Sequence, residues 1–250
     1  MKLNSLFLAM GLAGMTGLAQ AGTVEQAHHT HWSYAGHEGP EHWGELSEEY
    51  KLCSTGQTQS PVDIEGTADK DLAALVPNYN VAGSSILDNG HTVQVNFAQG
   101  DKLTVGDHIY ALKQFHFHTP SENHISGKAF PMEVHLVHAD EQGHLAVIGV
   151  MFTEGKANPT LTAMLAEMPQ GKNHEEALKE GLSAKGLLPA DLDYYTFNGS
   201  LTTPPCTEGV TWLSLAHPIE ASKEQINEMH VRLGNNNRPV QELHARVIQK

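Results

Sequence analysis

Residues 112–138, LKQFHFHTPSENHISGKAFPMEVHLVH, constrain the fold more than any other stretch, because they hold two short runs that read as strands with histidines on one side. Side chains along a strand alternate between its two faces. In the first run, this places Gln114, His116 and His118 on one face and Phe115 and Phe117 on the other. In the second, Met132 to His138, a common face carries Glu133, His135 and Val137. Two histidines at i and i+2, with a third from another strand, can converge on one ion. The first reading is therefore a metal site seated on a sheet, structural or catalytic.

The flanking sequence extends the sheet. Asn89-Gly90 is a strong turn signal, and Val93, Val95 and Phe97 then alternate with Thr92, Gln94 and Asn96. His91 lies where that turn enters the strand. Leu103 to Leu112 gives a further strand-turn-strand pattern leading into the histidine run. The continuous apolar run LAVIGVMF, 145–152, marks a strand buried on both faces or at the centre of a sheet. Only the compact turn HADEQGH separates it from the second histidine strand, so the two are neighbours. Gly199 to Pro205 must be a rigid loop, since adjacent prolines forbid helix, and Val210 to Leu215 returns to strand. The tail from Arg238 has room for one short strand at best.

Helices are few and late. Asn158 as cap, Pro159 at the first helical position, and Leu161, Met164, Leu165 and Met168 on one face predict a short helix. A second is expected over His174 to Lys185, and a third from Ser222, with Gln225 completing a capping box and Ile226, Met229 and Leu233 on one face. There are no internal repeats and no low-complexity linker. The fold class is mostly β, a single domain with peripheral helices.

The ends and the charge bound the setting. MKLNSLFLAMGLAGMTGLAQAG has a lysine, an apolar run and the small-x-small site Ala19-Gln20-Ala21, which predicts a secretory signal peptide over 1–21 and a domain over 22–250. Leu6 to Leu18 is too short for a comfortable membrane span, and no later stretch qualifies. Residues 24–50 lack a sustained period and form an irregular segment pinned by Trp32, Tyr34 and Trp43. Its His28, His29, His31, His37 and His42 follow no strand or helix spacing and read as surface or packing residues. With 15 basic against 29 acidic residues, a formal charge of -14 disfavours nucleic acid or an anionic membrane as partner. The two cysteines, Cys53 and Cys206, are a bridge or two buried thiols; export favours the bridge, and their spacing excludes a CxxC motif.

Three imidazoles are the ligand set that leaves zinc an open fourth position, whereas structural zinc fills all four places, often with thiolates. Zinc held by neutral ligands can lower the pKa of bound water to about 7. Gln114 and Glu133 sit on the same face as the histidines and could accept the remaining imidazole N–H groups. Glu122, in PSEN, reads alone as a loop carboxylate, and Thr202 and Thr203 as turn hydroxyls. Spacing does not join them to the metal.

QSPVDI, DNGHTVQVNF, LKQFHFHTPSENH, EVHLVH, LAVIGV and GSLTTPP followed by VTW, in this order, resemble an alpha-class carbonic anhydrase of the secreted bacterial type over about residues 30–247. The resemblance implies a large, mainly antiparallel, twisted central sheet carrying a conical cavity with zinc at its floor. It implies reversible hydration of carbon dioxide to bicarbonate and a proton by attack of zinc hydroxide, with small activated esters as a side substrate. His116, His118 and His135 match the zinc ligands. Gln114, Glu133 and the backbone carbonyl around Asn236 match the acceptors behind His116, His135 and His118 respectively. Thr202 matches the gatekeeper threonine that donates to Glu122, Thr203 the neighbouring threonine that helps hold bicarbonate, and His91 the proton shuttle. Tyr34, Asn89 and Gln94 match the polar wall that orders water; Val137, Val147, Leu201, Val210 and Trp212 match the apolar wall that receives carbon dioxide. Cys53 and Cys206 match the disulfide of secreted bacterial members, which also imply a periplasmic or secreted location and a homodimer. Two departures are Gln94, where many animal members have asparagine, and Asn123, where they have histidine.

Overall fold

A computed structural model of the chain describes residues 30–250. The leader expected over 1–21, its cut after Ala21, and His28 and His29 lie outside the described residues. The strands are β1 (Asp63–Ile64), β2 (Leu75–Asn78), β3 (Gly83–Asp88), β4 (Val93–Phe97), β5 (Lys102–Val105), β6 (His108–His118) and β7 (His124–Ile125). They continue with β8 (Met132–Ala139), β9 (Leu145–Glu154), β10 (His174–Ala177), β11 (Tyr194–Ser200), β12 (Glu208–Leu215) and β13 (Ile219–Ala221). The α-helices are α1 (Trp43–Leu46), α2 (Leu52–Thr55), α3 (Pro159–Ala166) and α4 (Lys223–Leu233).

Eleven strands form one sheet whose main path runs β10-β3-β4-β6-β8-β9-β12-β11, with β13 beside β9 and with β5 and β2 beyond β6. Pairings are antiparallel except those of β9 with β12 and with β13. The mostly-β reading holds, and the two histidine strands lie side by side near its centre. The apolar run of β9 is interior, flanked by β8 on one side and by β12 and β13 on the other. Its alternate residues serve two cores: Ala146, Ile148, Val150 and Phe152 face the larger core, while Val147 joins Val62, Ile64, Phe197, Val210, Trp212 and Ile248 on the other side. A polar side chain at either set of positions would lose its water without gaining a partner.

Phe115 and Phe117, on the reverse of the histidine face, are fully buried in the larger core. Burying a side chain of this kind contributes about 1.5–3 kcal/mol. The same residues that drive β6 inward therefore hold its histidines against the opposite face. Helices α3 and α4 cover this core with Leu161, Met164 and Met229. Asn158 caps α3, accepting from Thr160 N at 2.9 Å and Leu161 N at 3.1 Å. The predicted capping box of Ser222 and Gln225 starts α4, and Gln225 also accepts from Asn158 N at 2.8 Å, tying the two helix starts together.

The helix expected over His174 to Lys185 is not formed. Residues His174–Ala177 are the edge strand β10 on β3, and a 3-10 turn follows at Ala184–Leu187. Gly181 interrupts the segment, and the open edge of β3 supplies the partners a helix would otherwise provide. Leu178 N donates to Ser84 O at 3.2 Å and Gly83 N to Leu182 O at 2.9 Å. The tail beyond α4 forms isolated bridges at Gln249 rather than a strand. As expected, Trp32, Tyr34 and Trp43 pin the start of the described chain: their rings pack edge to face, and Trp43 Nε1 donates to Ser33 O and Glu38 O.

Candidate active site

Sheet register assembles the site. His116 of β6 stands opposite His135 of β8, which stands opposite Gly149 of β9, while Gln94 of β4 flanks His116. One row over, Gln114, Val137, Val147 and Trp212 line up across four strands. One nitrogen from each of His116, His118 and His135 falls within 4.8 Å of the others. Two of the remaining nitrogens have acceptors. His116 Nδ1 donates to Gln114 Oε1 at 2.8 Å, and His118 Nδ1 to the backbone carbonyl of Asn236 at 2.7 Å. His135 Nε2 approaches Glu133 Oε1 at 3.0 Å, though without hydrogen-bond alignment. An acceptor on one nitrogen fixes the tautomer and leaves the other nitrogen's lone pair free.

Electrostatics favour neutral imidazoles. Burial, then the neighbouring His118 and His135, hold His116 well below the ordinary histidine range. Burial, then His118, do the same for His135. Burial also lowers His118, opposed by its bond to the Asn236 carbonyl and by Glu133. His118 Nε2 is buried without a hydrogen-bond partner. Three converging neutral donors, one of them otherwise orphaned in the interior, fit a zinc ion.

Glu122, a loop carboxylate on sequence grounds, is fully buried beside this cluster, its Oε2 3.5 Å from His118 Nε2 and 3.9 Å from His135 Nδ1. Its Oε1 accepts from Arg238 N at 2.8 Å. Burial pushes its carboxyl up to about 8, opposed by the Arg238 N–H and by the Thr202 hydroxyl. Thr202 is thus near enough to favour the carboxylate, but Oε2 has no hydrogen bond of ordinary geometry. Thr202 is buried and Thr203 half-buried, in the loop after β11, where Leu201 N donates to Thr207 O and Cys206 N to Thr203 O. Cys53 and Cys206 form a disulfide across 153 residues, joining α2 to this loop.

Val137, Val147, Leu201, Val210 and Trp212 belong to one apolar cluster, and the Trp212 ring meets His135 edge to face at 4.8 Å. Burial, then the charge of Glu122, raise the hydroxyl pKa of Tyr34. Asn89 is largely committed to its turn, its Oδ1 accepting from His91 N and Thr92 N. Gln94 Nε2 donates to Asn96 Oδ1 at 2.6 Å. His91 is stacked on Trp32, centroids 3.8 Å apart, at the edge of a cavity of about 640 Å³ that His31, Tyr50, Leu52 and Pro204 also line. Burial, then His31 and Lys172, lower its pKa.

The pattern of the eukaryotic-type carbonic anhydrase family matches residues 38–250. The chain is 49% identical to a carbonic anhydrase of Neisseria gonorrhoeae over 222 residues, 88% of each chain. It is 46% identical to one of Pectobacterium atrosepticum over 219 residues, 87% of this chain and 90% of that one. The chain belongs to the alpha-class carbonic anhydrase family. Among solved structures, the alpha-carbonic anhydrase of Thermovibrio ammonificans, in complex with the inhibitor sulfanilamide, superposes with a TM-score of 0.87 at 42% identity, covering 89% of this chain and all of that one.

Two residues of this carbonic anhydrase escape a reading of periodicity. Asn123 donates from its backbone to Glu133 Oε2 at 2.9 Å and from its side chain to Glu133 Oε1 at 2.9 Å, while its Oδ1 accepts from Val62 N. Arg238 is 1% exposed; its guanidinium bonds to Gln59 Oε1, Ser60 O and Cys53 O while its backbone holds Glu122. A charge in the interior is costly unless paired in this way. The only signal for either was the departure noted at Asn123. An arginine in a polar tail carries none.

Proposed function

We propose that this chain catalyses the reversible hydration of carbon dioxide to bicarbonate and a proton, with zinc held by His116, His118 and His135. The convergence of three neutral ring nitrogens, with hydrogen-bond acceptors behind two of the rings, carries the reading. Zinc bound there supplies Lewis acidity that makes water a nucleophile near neutral pH. Gln114 and the Asn236 carbonyl orient two of the rings, and Glu133 stands behind the third. Thr202, with Glu122 as acceptor of its proton, presents a hydroxyl oxygen that can accept from the attacking oxygen and aim its lone pair. Thr203 then holds the bicarbonate product. The wall of Val137, Val147, Leu201, Val210 and Trp212 receives apolar carbon dioxide without offering it a competing hydrogen bond.

His91 relays the released proton to buffer, and Tyr34, Asn89 and Gln94 order the water between. Small activated esters are a second substrate, since their carbonyl carbon is attacked by the same nucleophile. The leader over 1–21 directs export and residues 22–250 work as one domain, in the periplasm or outside the cell, where the disulfide persists. The assembly is a homodimer. Among the described residues no helix is long and apolar enough to cross a membrane. Zinc content and carbon dioxide hydration, measured before and after chelation and again after zinc is restored, test the reading: one zinc per chain and parallel loss and recovery are expected, and full activity in metal-free protein would refute it.

A further inference from the structure

Gly149 lies in the interior of β9, in regular antiparallel register with His135 on one side and parallel register with Ser214 on the other. Glycine weakens a strand, because it has the most backbone freedom to lose and no side chain to pack. The backbone does not require it: Gly149 has none of the positive φ angles found elsewhere in the chain. Its neighbours Ile148 and Val150 are the β-branched residues such a strand ordinarily carries.

Space explains it. A Cβ built on Gly149 would lie 2.9 Å from Glu133 Oε1, with Trp212 Cζ3 at 3.7 Å and Ser214 Oγ at 3.9 Å. Glu133 starts two register positions away, opposite Met151 and on the same face, so its carboxylate reaches over the bare backbone of Gly149 to arrive behind His135. Nor can it simply move aside. Its Oε2 accepts from Glu122 N at 2.8 Å and Asn123 N at 2.9 Å, and its Oε1 from Asn123 Nδ2 at 2.9 Å. An added methyl group must therefore either displace Oε1 from His135 or break the bonds that hold the 122–123 backbone.

We infer that Gly149 is a positioning residue for the metal centre: its missing side chain is the seat of the Glu133 carboxylate, and so sets the orientation of His135. The inference rests on the proposal that His116, His118 and His135 hold zinc. Zinc affinity is the readout, by competition of the metal-free chain with a chromophoric chelator, for wild type, Gly149→Ala, Glu133→Asp and the double variant. The aspartate withdraws the carboxylate by one methylene while keeping its charge, which makes room for the methyl group.

Gly149→Ala is expected to weaken zinc binding about 10–100-fold, the usual effect of disturbing a group behind a metal-ligating histidine. The double variant is expected to bind no more weakly than Glu133→Asp alone, because the methyl group acts only through the longer carboxylate. Near-UV circular dichroism checks folding of each metal-free variant. Should Gly149→Ala fail to fold alone, recovery of folding in the double variant supports the inference, and failure to recover overturns it. Wild-type affinity in Gly149→Ala, or penalties that add in the double variant, also overturn it. Absence of zinc binding by wild type would instead sink the assignment of the three histidines.

Discussion

His91 lies flat on Trp32 at the end of the β3–β4 hairpin, with its backbone N–H tied to Asn89 and its carbonyl to Asn236. The backbone is thus anchored while the ring remains half-buried at the edge of a cavity that it shares with His31, Tyr50 and Pro204. Replacing His91 by alanine should slow hydration in weak buffer by at least ~10²-fold, the lower end for general acid–base groups, and added imidazole should restore part of it; an unchanged rate would remove the shuttle role. Burial, His31 and Lys172 all act against the charged ring, so its pKa lies below 6.5. The neutral, proton-accepting form therefore persists to lower pH than an exposed histidine allows. Lys172→Glu should raise that pKa and move the acid limb of the kcat–pH profile upward. At Thr202, removing the hydroxyl should lower kcat/KM by about 10²-fold with zinc content unchanged, because no ligand is touched.

The strand pair β6 and β8 illustrates how one element serves two purposes. Phe115, Phe117, Val134 and Leu136 bind it to the larger core, and the alternate positions carry the histidines and their partners. The Thr202 loop has no such sheet support and is held instead by the disulfide and by bonds from the Gln59 and Ser60 segment to Cys206, Ser200 and Glu208. A bridge closing a loop of 153 residues constrains the unfolded chain strongly. Cys53→Ser with Cys206→Ser should cost about 2–5 kcal/mol in stability, read from urea unfolding of the metal-free protein, and should lower activity by loosening Thr202 and Thr203. At the start of α3, Asn158→Ala should cost about 1–2 kcal/mol and leave zinc affinity unchanged.

Across the whole molecule, the face away from the site has its own buried histidine. Tyr79 donates to His138 Nε2 at 2.6 Å, and His138 Nδ1 donates to Ala146 O at 3.2 Å. Burial lowers the His138 pKa to about 4, so the folded state keeps it neutral where the unfolded chain, near 6.5, would bind a proton. The contribution is fully present above pH ~6.5 and is lost as pH falls towards ~4, amounting to about 3 kcal/mol over that window. His138→Gln in metal-free protein should be less stable at neutral pH and flatten this part of the stability–pH curve; parallel curves would show that His138 is not the cause. Periodicity in the sequence by itself determined the histidine strands, the β3–β4 hairpin, the interior position of β9 and the two helix caps, because each depends on neighbours a few residues apart. Family resemblance added Glu122, Thr202 and His91, which local pattern could not connect. Only the tertiary structure decided that His174–Ala177 would complete a sheet edge instead of starting a helix, that Asn123 and Arg238 would hold Glu133 and Glu122 in place, and that Gly149 would make room behind His135. Those outcomes depend on which backbone edges and which empty volumes the folded sheet brings together, and no local period records that.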